Sequence, residues 1–143
     1  MKKQISRTLL GLFAMLMLAA GAQAQTSRGI RVQIPFDFVA GEKQLPAGGY
    51  TVRRVRIDSE SALLIKGEGK GGAAVVLTTT GDEGPDAASL TFRQHGERYF
   101  LAAVSVPGAA SVREVARTGA ERELIEQARS GDPKTVTIAG SVR

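Results

Sequence analysis

One histidine, fourteen acidic residues and no cysteine bound the chemistry this chain can offer a substrate. Nucleophilic hydrolysis needs a nucleophile, a base and usually an acid to orient the base, and only His95 supplies an imidazole. It falls between Gln94 and Gly96, a sequence that reads as a turn, where a histidine is ordinarily solvated. No serine occupies a G-x-S-x-G elbow. A zinc site of the usual kind asks for two or more His or Cys ligands, so no metal and no cofactor are expected. Paired carboxylates ask for less. Asp37, Asp58, Glu60, Asp82, Glu83 and Asp86 all fall in or beside predicted loops, and glycosidase chemistry requires only two acids at a set separation. Asp37, Asp58 and His95 are the candidate participants of a small carboxylate-dependent hydrolase. Sugar clefts are also lined by aromatics, however, and the chain has no tryptophan. Asp82, Glu83 and Asp86 match no calcium-loop spacing.

Cations form the other concentration of chemistry. Arg53, Arg54 and Arg56, with Lys66 on the following run, could gather several positive charges into a patch for anionic lipid headgroups or acidic polysaccharides. The competing reading is protection of an exposed strand edge. Gly67-Glu-Gly-Lys-Gly-Gly72 matches the letters of the G-x-G-x-x-G dinucleotide fingerprint, but a valine- and threonine-rich strand follows where the fingerprint needs a helix N-terminus. A hairpin loop accounts for it better. Lys70 is not followed by serine or threonine, so there is no P-loop either.

The elements that must position these residues are mostly strands. Ile30, Val32, Ile34, Phe36 and Phe38 alternate with polar residues, and Pro35 implies a sheet edge or a bulge. Leu45 to Tyr50 reverses the chain, and alternation along Tyr50 to Ile57 slips across Arg53 and Arg54, as a β-bulge would make it. Ala62 to Lys66 and Ala73 to Thr80 read as a hairpin around the glycine loop. Leu90, Phe92 and Gln94 lead through a turn at 95–97 into Arg98 to Val106, apolar on both faces as a strand covered on both sides would be. Thr118-Gly-Ala-Glu121 matches a capping box, giving a helix over about 119–130 whose narrow stripe of Leu124, Ile125 and Ala128 would dock on the domain's own sheet or on a partner. Thr135 to Ile138 is a last strand or a frayed end. The fold class is mainly β: an antiparallel sandwich or partly closed barrel of six or seven short strands with one C-terminal helix.

Export is written at the N-terminus. A basic Met1 to Arg7, an apolar Thr8 to Ala20 and the small-residue exit Ala22-Gln23-Ala24 form a cleavable signal peptide over residues 1–24, leaving one domain over 25–143. The apolar run is about 13 residues against the roughly 20 that span a bilayer, so the mature chain is expected to have no transmembrane segment. Losing Lys2, Lys3 and Arg7 leaves 16 basic against 14 acidic residues, a net charge of about +2 rather than +5. That balance is no nucleic-acid footprint.

Ile34-Pro-Phe-Asp-Phe-Val-Ala-Gly41 followed by Leu45-Pro-Ala-Gly-Gly-Tyr-Thr-Val52, then Arg98-Tyr-Phe-Leu101 and Ala120-Glu-Arg-Glu-Leu124, resembles a pattern in small uncharacterised exported proteins of soil bacteria. The resemblance implies a periplasmic or secreted β-rich domain and supplies no catalytic residues. The expectation is therefore a non-enzymatic binding or structural domain of the cell envelope. The hydrolase and the anionic-surface binder stand as alternatives.

Overall fold

The computed structural model describes residues 29–56, 59–128 and 132–142, so the stretch 1–24 read as a signal peptide and Asp58 lie outside it. The described chain is mainly β, and eight of its strands close an antiparallel barrel. Around the barrel run β1 (Ile30–Ile34), β4 (Gly48–Arg56), β5 (Ser59–Gly67), β6 (Ala73–Thr80), β9 (Arg113–Val115), β8 (Arg98–Ser105), β7 (Ser89–His95) and β10 (Lys134–Val142), which returns to β1. The short pair β2 (Phe38–Ala40) and β3 (Lys43–Leu45) lies outside this ring, with β2 joined in parallel to β8. Among the described residues ten strands stand where six or seven were expected, and the barrel is closed rather than partly closed.

Two features explain the difference. The run expected as one strand over 30–38 is broken at Pro35, which has no N–H to continue the ladder. β1 therefore stops at Ile34, paired with Gly48, and Phe38 joins a different neighbour, Tyr99. β1 is consequently an interior strand between β10 and β4, not the edge that Pro35 suggested. The second feature is β9, three residues long, which pairs Thr78 to Thr80 on one side and Ala103 and Val104 on the other. Without it the barrel would be open. The tail is a full strand, pairing from Lys134 to Ala139 with β7 and through Gly140 to Val142 with β1.

Inward-facing residues follow the strand alternation. Val32, Tyr50, Val52, Ile65, Val76, Leu90 and Phe92 are all buried in one core. The slip in β4 is present as a register shift between Arg54 and Arg56, and it leaves Val55 49% exposed rather than returning it to the core. β8 is covered on both faces, but strict alternation, which sets Leu101 opposite Val104, fails: the ladder with β7 slips between Thr91 and Phe92, so Leu101 and Val104 both enter the core while Phe100 and Ala102 are buried outside that cluster. The Phe100 ring is covered by the His95 ring at 5.8 Å and the Arg98 guanidinium at 5.3 Å.

Aromatics fill the end of the barrel where β4 and β8 begin. Phe38 meets Tyr50 and Phe92 edge-on, and Phe36 stacks on Tyr99 with ring centroids 3.8 Å apart. The fully buried Tyr50 places its hydroxyl 2.6 Å from the Pro46 carbonyl and 3.0 Å from that of Gly71, so one proton ties the turn before β4 to the loop before β6. Burial and the Asp37 charge raise its pKa, as suits a phenol that stays a donor. Tyr50→Phe should cost about 1–2 kcal/mol in chemical denaturation, because two carbonyls lose their donor. An unchanged midpoint would mean water serves them equally well.

The glycine loop is a hairpin turn. Gly69 and Gly72 have φ of 61° and 74°, and a Cβ on Gly67 would come within 2.6 Å of the Gly71 backbone. The strand β6 follows it, so the dinucleotide reading has no helix to work with. The helix α1 (Gly119–Ala128) forms as expected, and among the described residues no helix is long and apolar enough to cross a membrane.

Candidate functional site

The expected cationic patch divides between the outer wall and one end of the barrel. Along β4, Tyr50 and Val52 face the core, so Thr51 and Arg53 face outward. Cross-strand register extends each into a row: Thr51, Lys66 and Ala73 in one, Arg53, Leu64 and Val75 in the next. Beyond them Ala62 pairs with Leu77. Leu77 is 74% exposed and Val75 57%, so the outer face of β5 and β6 carries bare aliphatic side chains beside the cations. Arg31, Thr51, Arg53, Lys66 and Glu68 line a groove of about 390 Å³ on this wall. Arg31 is paired there with Glu68, which leaves Arg53 and Lys66 as its unbalanced charges among the described lining residues.

Arg54 continues the inward-facing series of Tyr50 and Val52 at the end of the barrel. It joins Arg53 and Arg113 around a second cleft of about 310 Å³. Ile30, Val52, Leu63 and Val104 form the floor of that cleft, and Val106 to Ala109 form a lip. The lip is anchored, because Asp86 Oδ1 accepts the Gly108 amide at 2.9 Å and Val106 O accepts that of Ala109 at 3.1 Å. The backbone of Arg56 lies in β4, but its side chain lies outside the described residues, as does that of Glu60.

Among the described residues, the side chains expected to serve a hydrolase take separate partners. Asp37 Oδ1 accepts the Ala47 amide at 2.8 Å and so braces the turn before β4. Asp82 and Glu83 are exposed, and Asp86 holds the lip. No group of three or more His, Asp or Glu side chains able to hold a metal occurs among the described residues.

His95 has a carboxylate partner that sequence reasoning assigned elsewhere. Its Nε2 lies 3.1 Å from Oε1 of Glu121 on α1, and the Arg93 guanidinium grips the same carboxylate through Nε at 2.6 Å and Nη2 at 3.0 Å. Thr118 Oγ1 accepts the Glu121 amide at 3.1 Å, so half of the capping box is made. The other half is not, because the Glu121 side chain turns to β7 instead of back to its own helix. Glu121 is 0% exposed and is the one buried residue of α1, so the helix docks on its own barrel through a charge rather than through its apolar stripe. Burial by itself would raise the Glu121 pKa, but hydrogen bonds and charge from Arg93 and His95 outweigh it and hold the carboxyl below its ordinary 4.5. A bidentate guanidinium on a buried carboxylate is chiefly a structural clamp. His95 also borders a cleft of about 400 Å³ with Leu124, Asp132 and Lys134.

The chain matches no protein-family model, no curated protein and no solved structure.

Proposed function

We propose that this is an exported, non-enzymatic protein of the cell envelope that binds anionic lipid surfaces through the outer wall formed by β4, β5 and β6. One observation carries the reading: Val75 stands exposed in the same cross-strand row as Arg53, with the row of Lys66 on one side and the exposed Leu77 in the row on the other. Bare aliphatics on a barrel wall are costly in water and mark an interaction surface. Aliphatic side chains flanked by cations suit the boundary between acyl chains and anionic headgroups. Export rests on the tripartite leader over residues 1–24.

Flotation with phosphatidylglycerol vesicles tests the reading. Binding should be stronger than to phosphatidylcholine, should weaken with salt, and should fall about tenfold or more in Arg53→Gln/Lys66→Gln, since each cation near an anionic surface contributes about 1 kcal/mol. Leu77→Asp should weaken it as well. Salt-sensitive binding to polygalacturonate with none to vesicles would transfer the wall to acidic glycans. Binding to neither would remove the surface reading.

A carboxylate-dependent hydrolase keeps one favourable observation, the cleft shared by His95 and Asp132. Turnover of ester or glycoside substrates that disappears in both His95→Ala and Asp132→Asn would establish it.

A further inference from the structure

We infer that the groove on the outer wall selects a lipid with a phosphomonoester headgroup, and that Glu68 is an internal anion which this headgroup displaces from Arg31. The inference deepens the lipid-binding reading above and rests on it. Charge selects the ligand class first. Arg31, Arg53 and Lys66 line the groove with Glu68, so three cations stand against one carboxylate and two positive charges are left over. A phosphodiester headgroup such as phosphatidylglycerol brings one negative charge, whereas a phosphomonoester brings about 1.5 to 2 at neutral pH, with three acceptor oxygens. Among the described residues the side chains of Arg53 and Lys66 take no ion-pair or hydrogen-bond partner, so both are available to it.

The third cation is held in reserve. Arg31 grips the Glu68 carboxylate through Nε and Nη2, and the pair lines both this groove and a neighbouring one of about 410 Å³ over Gly49 and Gly140. It stands as a bar between the two. Its side chains are 41% and 46% exposed, and an ion pair so open to water is weak and readily exchanged. The backbone beneath it is fixed, because the Glu68 amide donates to Gly49 O at 2.9 Å and Glu68 O accepts the Gly71 amide at 3.2 Å. The carboxylate rests in the space that Gly49 leaves, where a Cβ would come within 2.9 Å of Glu68 Oε2. Side-chain rotation alone therefore frees Arg31, whose guanidinium fits a phosphate as well as it fits a carboxylate. Position then favours a lipid over a free phosphate. Arg31, Thr51 and Lys66 form one cross-strand row, Arg53, Leu64 and Val75 the next, and Ala62 with Leu77 the one beyond. Polarity falls in one direction, so a phosphate at Arg31 and Lys66 would set its acyl chains over the exposed Val75 and Leu77.

Flotation on phosphatidate and phosphatidylglycerol vesicles matched for total charge tests the inference. Wild type should prefer phosphatidate about fivefold or more. Glu68→Gln should strengthen phosphatidate binding about threefold or more, whereas Glu126→Gln, which removes the same charge from an exposed position on α1, should not. Arg31→Gln/Glu68→Gln keeps the net charge of the groove and removes the guanidinium. Its preference for phosphatidate should disappear while phosphatidylglycerol flotation persists through Arg53 and Lys66. Equal flotation of wild type on the two vesicles, or a preference that the double variant retains, overturns the phosphomonoester site and leaves the wall standing. Identical effects of Glu68→Gln and Glu126→Gln overturn the displacement of Glu68. Calorimetric saturation by inorganic phosphate as tight as by phosphatidate overturns the lipid source. Flotation on neither vesicle is instead the failure of the wall reading itself.

Discussion

Glu121→Ala should cost about 3 kcal/mol of stability, the lower part of the roughly 3–5 kcal/mol range for removing one partner of a buried ion pair. Arg93 is 16% exposed, so its guanidinium can recover part of its hydration, whereas the 0% exposed Glu121 could not. The penalty is mainly that of stranding Arg93 and losing the hold of α1 on β7. Replacing both, as Arg93→Leu/Glu121→Leu, should recover much of the loss, because two apolar side chains leave no uncompensated charge. Non-additivity of that kind, measured by a double-mutant cycle in urea, separates a stranded charge from a lost helix contact. If the double variant is as unstable as the sum of the singles, the clamp is not the cause. The pH dependence has a definite sign. A carboxyl whose folded pKa lies below its unfolded value contributes its full stability above about pH 4.5 and loses it as pH falls through the lowered folded value. Wild type should therefore lose stability below pH 4.5 more steeply than Glu121→Gln.

That clamp also marks the boundary of what local sequence patterns reveal. The β1 alternation, the slip in β4, the β5–β6 hairpin, the two-faced β8 and the Thr118 cap were all legible, because each is a property of a few consecutive residues. Glu121 was legible too, but with the wrong partner: three residues after a threonine it completes a capping box on paper. The competing interaction, a bidentate arginine 28 residues earlier, has no local signature. Closure of the barrel was hidden for the same reason. β9 is only Arg-Glu-Val, and nothing in three residues announces that they join β6 to β8. The cations read as one patch lie on β4 and β5, and their division between the wall and the end of the barrel depends on which way Arg53 and Arg54 face. The slip in β4 alternation fell at that point. A signal was present in β6, where Val75 and Leu77 alternate with Ala74, Val76 and Thr78, so that one of its two faces had to be an apolar face outside the core.

Phe38→Ala should be the most damaging single substitution in the barrel, at about 3–5 kcal/mol, the range for emptying a buried phenylalanine site. Phe38 is 1% exposed and touches both Tyr50 and Phe92 edge-to-face, at 5.1 and 5.4 Å, so the cavity would open between rings that hold β4 and β7 together. Its backbone adds a second effect. β9 reaches only Ala103 and Val104 of β8, and the first half of that strand relies on β2, through Phe38 with Tyr99 and Val39 with Phe100, for its other neighbour. A loosened β2–β3 pair would leave those amides on an open edge, which is an aggregation hazard. Hydrogen exchange should therefore accelerate first at residues 38–40 and 99–100, before β1, β4 or β5. Phe36→Ala should cost less, because Phe36 is only partly buried and rests on the face of Tyr99 from outside the main cluster. Folded domains are stable by only about 5–15 kcal/mol, so the Phe38 variant should sit near its threshold at growth temperature. Phe38→Leu should restore part of the loss by refilling the site without the ring contacts. A cost below about 1 kcal/mol for Phe38→Ala, with uniform exchange, would mean that the short β2–β3 pair is ornamental and that the eight-stranded ring holds by itself.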